Sequence, residues 1–158
     1  RPMSPFEVEV ENEVEISSAQ KEIVRQAAAS TLADQAQVRG TGCTVLLTGD
    51  EQIRALNRDF LEQDKSTDVL SFPAGEATPG LETYLGDIAI SVPTARRQAR
   101  SAGHNLDAEL QLLTVHAVLH LLGYDHASAD EQAAMWSAQA RILAKLGAEL
   151  TKPWSGRA

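Results

Sequence analysis

The chain has 158 residues, 43% of them hydrophobic, and a formal charge of −8. That length supports one domain with a substantial core, and that hydrophobic content excludes a disordered chain. The acidic balance argues against indiscriminate binding to nucleic-acid backbone, no apolar run approaches the ~20 residues of a membrane span, and the lone Cys43 excludes an internal disulfide or a cysteine-based zinc site.

With no signal-peptide pattern at its start, the chain is expected in the cytoplasm. Glu7, Glu9, Glu11, Glu13 and Glu15 alternate with Val8, Val10 and Val14. That period of two predicts a strand with one buried and one acidic face, and a solvated edge position accounts for the acidic one. Ser17-Ser-Ala-Gln20 offers a capping box for a helix to about Leu32, burying Ile23, Val24, Ala27 and Ala28. Gly40-Thr-Gly42 breaks the chain, and Cys43 to Thr48 reads as a buried strand. Asp50 is placed to cap the next helix, in which Ile53, Leu56 and Phe60 are spaced for the core. Arg54, Arg58 and Leu61 form a separate stripe on it.

Ser66-Thr67-Asp68 leads into a short strand from Val69 to Pro73, whose entrance Thr67 and Asp68 are expected to brace. Glu76 to Thr83, with Pro79-Gly80, reads as a surface loop. Tyr84 to Ile90 is a further strand, and Ser91 or Thr94 starts a helix carrying Arg96, Arg97 and Arg100. Those arginines form either a solvated face or a patch that tracks phosphates. Asp87 is placed either to hold a metal ligand or water, or to bond a neighbouring loop. His104 reads as a surface residue. Asn105 caps a helix with Leu106, Leu110, Leu113 and Leu121 on one side and Leu112, Val115 and Leu119 on another, so it should be buried. Ser128-Ala-Asp-Glu131 is a second capping box, opening a terminal helix that turns Met135, Trp136, Ala140, Leu143, Leu146 and Leu150 to the core. Residues 1–4 and 152–158 are expected to be loose ends.

The chemistry concentrates in His116-Ala-Val-Leu-His120-Leu-Leu-Gly123-Tyr-Asp-His126. Histidines four apart share one helix face, and Gly123 can end the helix in the left-handed conformation. A chain turned there returns His126 toward the first two. Three imidazoles then converge on one zinc ion about 2.0–2.1 Å from each, with a fourth position open for water. Buried imidazoles need such a partner, since an unsatisfied buried polar group costs about 1–3 kcal/mol. Asp125 is placed either to orient a histidine ligand or to form the turn.

This His-x₃-His-x₂-Gly-x₂-His spacing is shared with the metzincin proteases, but their glutamate general base is replaced by Ala117. Phosphodiester cleavage suits what remains: the metal stabilises a phosphoryl oxygen or activates water, and an arginine neutralises phosphate charge.

Together with Ser66-Thr-Asp-Val-Leu-Ser-Phe-Pro73 and Leu85-Gly-Asp-Ile88, the histidine motif resembles the bacterial YbeY family, over about Thr44 to Trp136. The resemblance implies an α+β, zincin-like fold with a mixed sheet of about four strands packed against helices. It implies one zinc ion on His116, His120 and His126. The implied activity is single-strand-specific endoribonuclease action in ribosomal RNA maturation, at the 3′ end of the small-subunit RNA, and in ribosome quality control. The implied partners are ribosomal RNA and the small ribosomal subunit, with no membrane and no DNA. One departure stands out. Where the family carries an arginine implicated in activity, this chain has Leu61; Arg58 lies three residues earlier on the same stripe and either takes over the phosphate contact, with Arg54 beside it, or is a solvated helix charge. Two alternatives follow from the same residues: a non-catalytic ribosome-assembly factor with a structural zinc, and a metallopeptidase.

Overall fold

The computed structural model describes residues 4–75, 83–148 and 150. Along them run β1 (Glu7–Asn12), α1 (Ser18–Asp34), β2 (Gly42–Thr48), α2 (Asp50–Leu61), β3 (Val69–Pro73), β4 (Tyr84–Ser91), α3 (Val92–Ala102), α4 (Leu106–Leu121) and α5 (Ala129–Leu146). The expected loop lies outside the described residues except for Thr83, and the expected loose ends do so except for Ser4.

The strands form a mixed sheet in the order β1-β2-β4-β3. β1, β2 and β4 are parallel, and β3 pairs antiparallel with β4 at the far edge. This is the α+β arrangement that the sequence predicts. Alternation sends side chains to two faces. Val10, Val45, Leu47, Ile88 and Ile90 join the core built by α1, α4 and α5. Leu70 and Ala89 face the other way, where Ile53 of α2 meets them. Helix α2 therefore lies across the sheet from α4. β1 is an edge strand, and its Glu9 and Glu11 stand level with Thr44 and Leu46. Between β3 and β4, Gly86 is required: a Cβ there would lie 2.2 Å from the Phe72 carbonyl oxygen.

Helix α4 is the central element. The Asn105 side chain accepts the Ala108 N–H at 2.8 Å and starts it. Leu110, Leu112, Leu113 and Leu119 are at most 1% exposed, and each such burial contributes about 1.5–3 kcal/mol. Both predicted capping boxes form, Ser17 with Gln20 and Ser128 with Glu131.

Four expectations are corrected. Gly49, not Asp50, is the N-cap of α2. The Asp50 carboxylate instead accepts the Ser91 and Thr94 hydroxyls and the Arg97 guanidinium, joining α2 to α3. Burial alone would raise the Asp50 carboxyl, but these donors bring it to about 2. Phe60 is 67% exposed and lies edge-on against Phe72, because it lines, with Leu46 and Leu56, an open groove over the sheet face rather than a filled core. The His104 side chain is buried, not on the surface. Its Nε2 lies 2.6 Å from Glu109 Oε1, and the two side chains are 1% and 0% exposed; each polar group makes the other's burial tolerable. In α5, Ala138 and Gln139 take the buried positions expected of Ala140, since the stripe runs through Met135, Ile142 and Leu143.

Candidate metal centre

The centre forms where α4 stops. His116 and His120 share one face of the helix, with ring centroids 4.5 Å apart. Gly123 then adopts a φ of +102°, which a side chain would strain. Its N–H donates to the His120 carbonyl, and the Tyr124 N–H donates to the Leu119 carbonyl, both at 3.0 Å. These paired bonds make a Schellman turn. The chain reverses, and Asp125 Oδ1 accepts the His126 main-chain N–H at 2.8 Å. His126 thereby stands 5.7 Å from His116 and 5.3 Å from His120, centroid to centroid. One ligand nitrogen from each of the three rings lies within 4.8 Å of the others.

Two rings are oriented from outside the cluster. The His116 Nδ1–H donates to Gln139 Oε1 on α5 at 2.6 Å, and the His120 Nδ1–H donates to the Tyr124 carbonyl at 2.9 Å. A carbonyl can only accept, so the His120 proton sits on Nδ1 and the Nε2 lone pair is kept for a metal. The turn that ends α4 thus also aims one of its histidines. Trp136 of α5 flanks the group, its ring 6.2 Å from that of His116 and 5.5 Å from that of His126. Burial lowers the His120 pKa below its ordinary 6.5, which keeps the ring neutral, the form a metal needs. Neutral imidazoles with supported Nδ1 atoms are the donor chemistry of zinc and its neighbours, and the residues present fit such an ion. Among the described residues, no fourth protein ligand joins the three.

A cleft of about 300 Å³ opens beside His116 and His120, lined further by Val69, Leu70, Ser71 and Pro73. The Ser71 hydroxyl donates to the Ala117 carbonyl at 3.4 Å, tying edge strand β3 to α4. Ala117 itself is fully buried, so a methyl group occupies the position of the metzincin base.

Other expected site residues lie further out. Asp125 is exposed and holds His126 through its main chain rather than its ring. Arg58 is exposed on α2, across the sheet from α4, with its Nε 2.9 Å from Asp59 Oδ1. Arg54 bonds Asp64 at 2.7 Å. Asp87 is turned away from the histidine side by its alternation with Ile88, and it accepts the Tyr84 hydroxyl; its expected metal role is corrected. Arg96, Arg97 and Arg100 are exposed, and Arg97 bonds Asp50. Asp68 braces the β3 entrance as expected, accepting the Val69 N–H at 2.7 Å. Sequence reasoning missed Gln139 and the Tyr124 carbonyl. The signal for Gln139 was available as one amide inside the apolar stripe of α5; a carbonyl leaves no sequence trace.

The family model for Endoribonuclease YbeY matches residues 7–147. An Endoribonuclease YbeY of Rhodopseudomonas palustris is 39% identical, with 99% of this chain and 83% of that protein covered. One of Thermus thermophilus is 44% identical, covering 74% and 85%, and one of Geobacillus kaustophilus is 38% identical, covering 84% and 90%. A solution structure from Thermotoga maritima, 22% identical, matches in fold with a TM-score of 0.61, covering 96% of this chain and 100% of that one. With three histidines gathered at the end of a buried helix and these matches along nearly its whole length, the chain belongs to the YbeY endoribonuclease family.

Proposed function

We propose that this protein is a zinc-dependent endoribonuclease specific for single strands, matured ribosomal RNA at the 3′ end of the small-subunit RNA being its product and ribosome quality control its second role. The observation that carries the reading is the three-histidine cluster beside an open cleft, in a chain of an endoribonuclease family. His116, His120 and His126 hold one zinc ion, which polarises a phosphoryl oxygen and activates water when bound. The protein's own groups do the rest. Gln139 and the Tyr124 carbonyl fix two rings, Asp125 fixes the turn that carries His126, and the cleft along β3 receives the RNA strand. Arg58 reaches a phosphate from the α2 end, around edge strand β3, in place of the arginine missing at Leu61. The partners on this reading are ribosomal RNA and the small ribosomal subunit, met in the cytoplasm, with neither DNA nor a membrane involved.

The test is cleavage of single-stranded RNA by the purified protein before and after chelation, with circular dichroism followed in parallel. Chelation and His116→Ala should each abolish cleavage while the fold persists, and returned zinc should restore the parent protein. Melting on chelation would instead mark a structural zinc and an assembly factor. Digestion of an unstructured protein would favour the peptidase. Arg58→Ala should lower cleavage by roughly tenfold or more; activity equal to the parent rejects its phosphate role.

A further inference from the structure

One wall of the cleft beside the histidines is the outer edge of β3, the last strand of the sheet. Antiparallel pairing turns the main-chain groups of alternate residues toward and away from the partner strand. The Ser91 N–H donates to the Asp68 carbonyl and the Ala74 N–H donates to the Leu85 carbonyl, both at 2.9 Å. With Val69 level with Ile90 and Pro73 level with Gly86, that phase commits Leu70 and Phe72 to β4. The main-chain groups of Val69, Ser71 and Pro73 face outward.

These groups do not make an ordinary open edge. The Val69 N–H is taken by Asp68 Oδ1 at 2.7 Å, and Pro73 has no N–H. What remains beside the histidines is the Ser71 N–H between two acceptors, the Val69 and Ser71 carbonyls. An extended peptide pairs by repeated donors and acceptors along an edge, and this edge offers it a single N–H. A base needs less. The Watson–Crick edge of adenine runs amino donor, ring-nitrogen acceptor, then a weakly donating C–H, the complement of acceptor, donor, acceptor. Uracil, cytosine and guanine each set at least one acceptor against a carbonyl of that edge.

We infer that the outer edge of β3 reads an unpaired adenine of the bound strand. The Ser71 N–H donates to its N1, the Val69 carbonyl accepts from its 6-amino group, and the Ser71 carbonyl faces its C2–H. Because His116 and His120 line the same cleft, the adenine belongs to a nucleotide next to the bond that is cut. This inference rests on the RNA reading above.

The test is binding, read by fluorescence anisotropy with the zinc-loaded full chain. The probes are short 2′-O-methyl oligouridylates carrying at one position adenine, purine without its amino group, cytosine or guanine. Adenine should bind roughly tenfold tighter than the others. Ser71→Pro removes the main-chain donor, at an edge that tolerates proline, together with the hydroxyl that reaches Ala117, and should erase the preference, whereas Ser71→Ala, which loses the hydroxyl alone, should keep it. If Ser71→Pro does not fold, adenine against purine on the parent protein decides alone. Equal affinities for all probes, or a preference that survives Ser71→Pro, overturns the inference and leaves the nuclease reading standing. No binding to any probe sinks both.

Discussion

Gln139 holds the least exposed ring of the metal centre. His116 is 1% exposed and Gln139 2%, so the bond between them is shielded from water and the position of the His116 ring depends on it. A hydrogen bond of this kind fixes the tautomer and raises the basicity of the ligating nitrogen. Gln139→Leu should therefore weaken zinc binding by about 10- to 100-fold, read by competition with a chromophoric chelator, while the metal-free protein keeps its circular dichroism spectrum. Unchanged zinc affinity would reduce Gln139 to a core residue. Cys43 is the opposite case. Burial, then the charge of Asp87, push its thiol up to about 12, and it should resist thiol reagents until the protein unfolds.

At the scale of the element, α4 is at once the main core helix and the carrier of two ligands. Its start and its finish have separable consequences. Asn105→Ala removes the N-cap bond far from the histidines and should cost about 1 kcal/mol of stability, with zinc affinity unchanged. Gly123→Ala forces a side chain into a φ of +102° and should cost at least about 1 kcal/mol. It also displaces the Tyr124 carbonyl that aims His120, so zinc affinity should fall with stability. Denaturant midpoints and chelator competition on the two variants separate the cases; equal zinc affinity in both would deny the turn its second role.

Across the whole molecule, two carboxylates join elements distant in sequence. Asp34 at the end of α1 takes both arms of Arg141 on α5, at 2.9 and 2.8 Å, and those hydrogen bonds hold its carboxyl well below the ordinary 3.8. Asp50, brought to about 2 despite its burial, joins α2 to α3. In both cases the unfolded chain binds protons more readily near pH 4 than the folded one. Their stabilisation is therefore complete above about pH 5 and drains away as the pH falls through 4 toward the folded values. Asp50→Asn should lower the urea midpoint at neutral pH and flatten its decline in acid.

Much of this was legible in the chain itself. Alternating Glu and Val announced an edge strand, two capping boxes announced α1 and α5, and the spacing of His116, His120 and Gly123 announced a helix with a turn behind it. Such signals are local, because they arise from periodicity and from the conformational freedom of single residues. The errors were of another kind. Asp50, His104 and Phe60 were misplaced because their partners or neighbours are set by packing: Ser91 and Thr94 for the first, Glu109 for the second and the open groove over the sheet for the last. The sequence by itself determined the elements and the three histidine positions as a spacing on one helix and its turn. Only the tertiary structure decided that Gln139 supports a ring, that α2 lies across the sheet from the centre, and that the open edge of β3 walls the cleft, because burial and strand pairing are relations between distant segments.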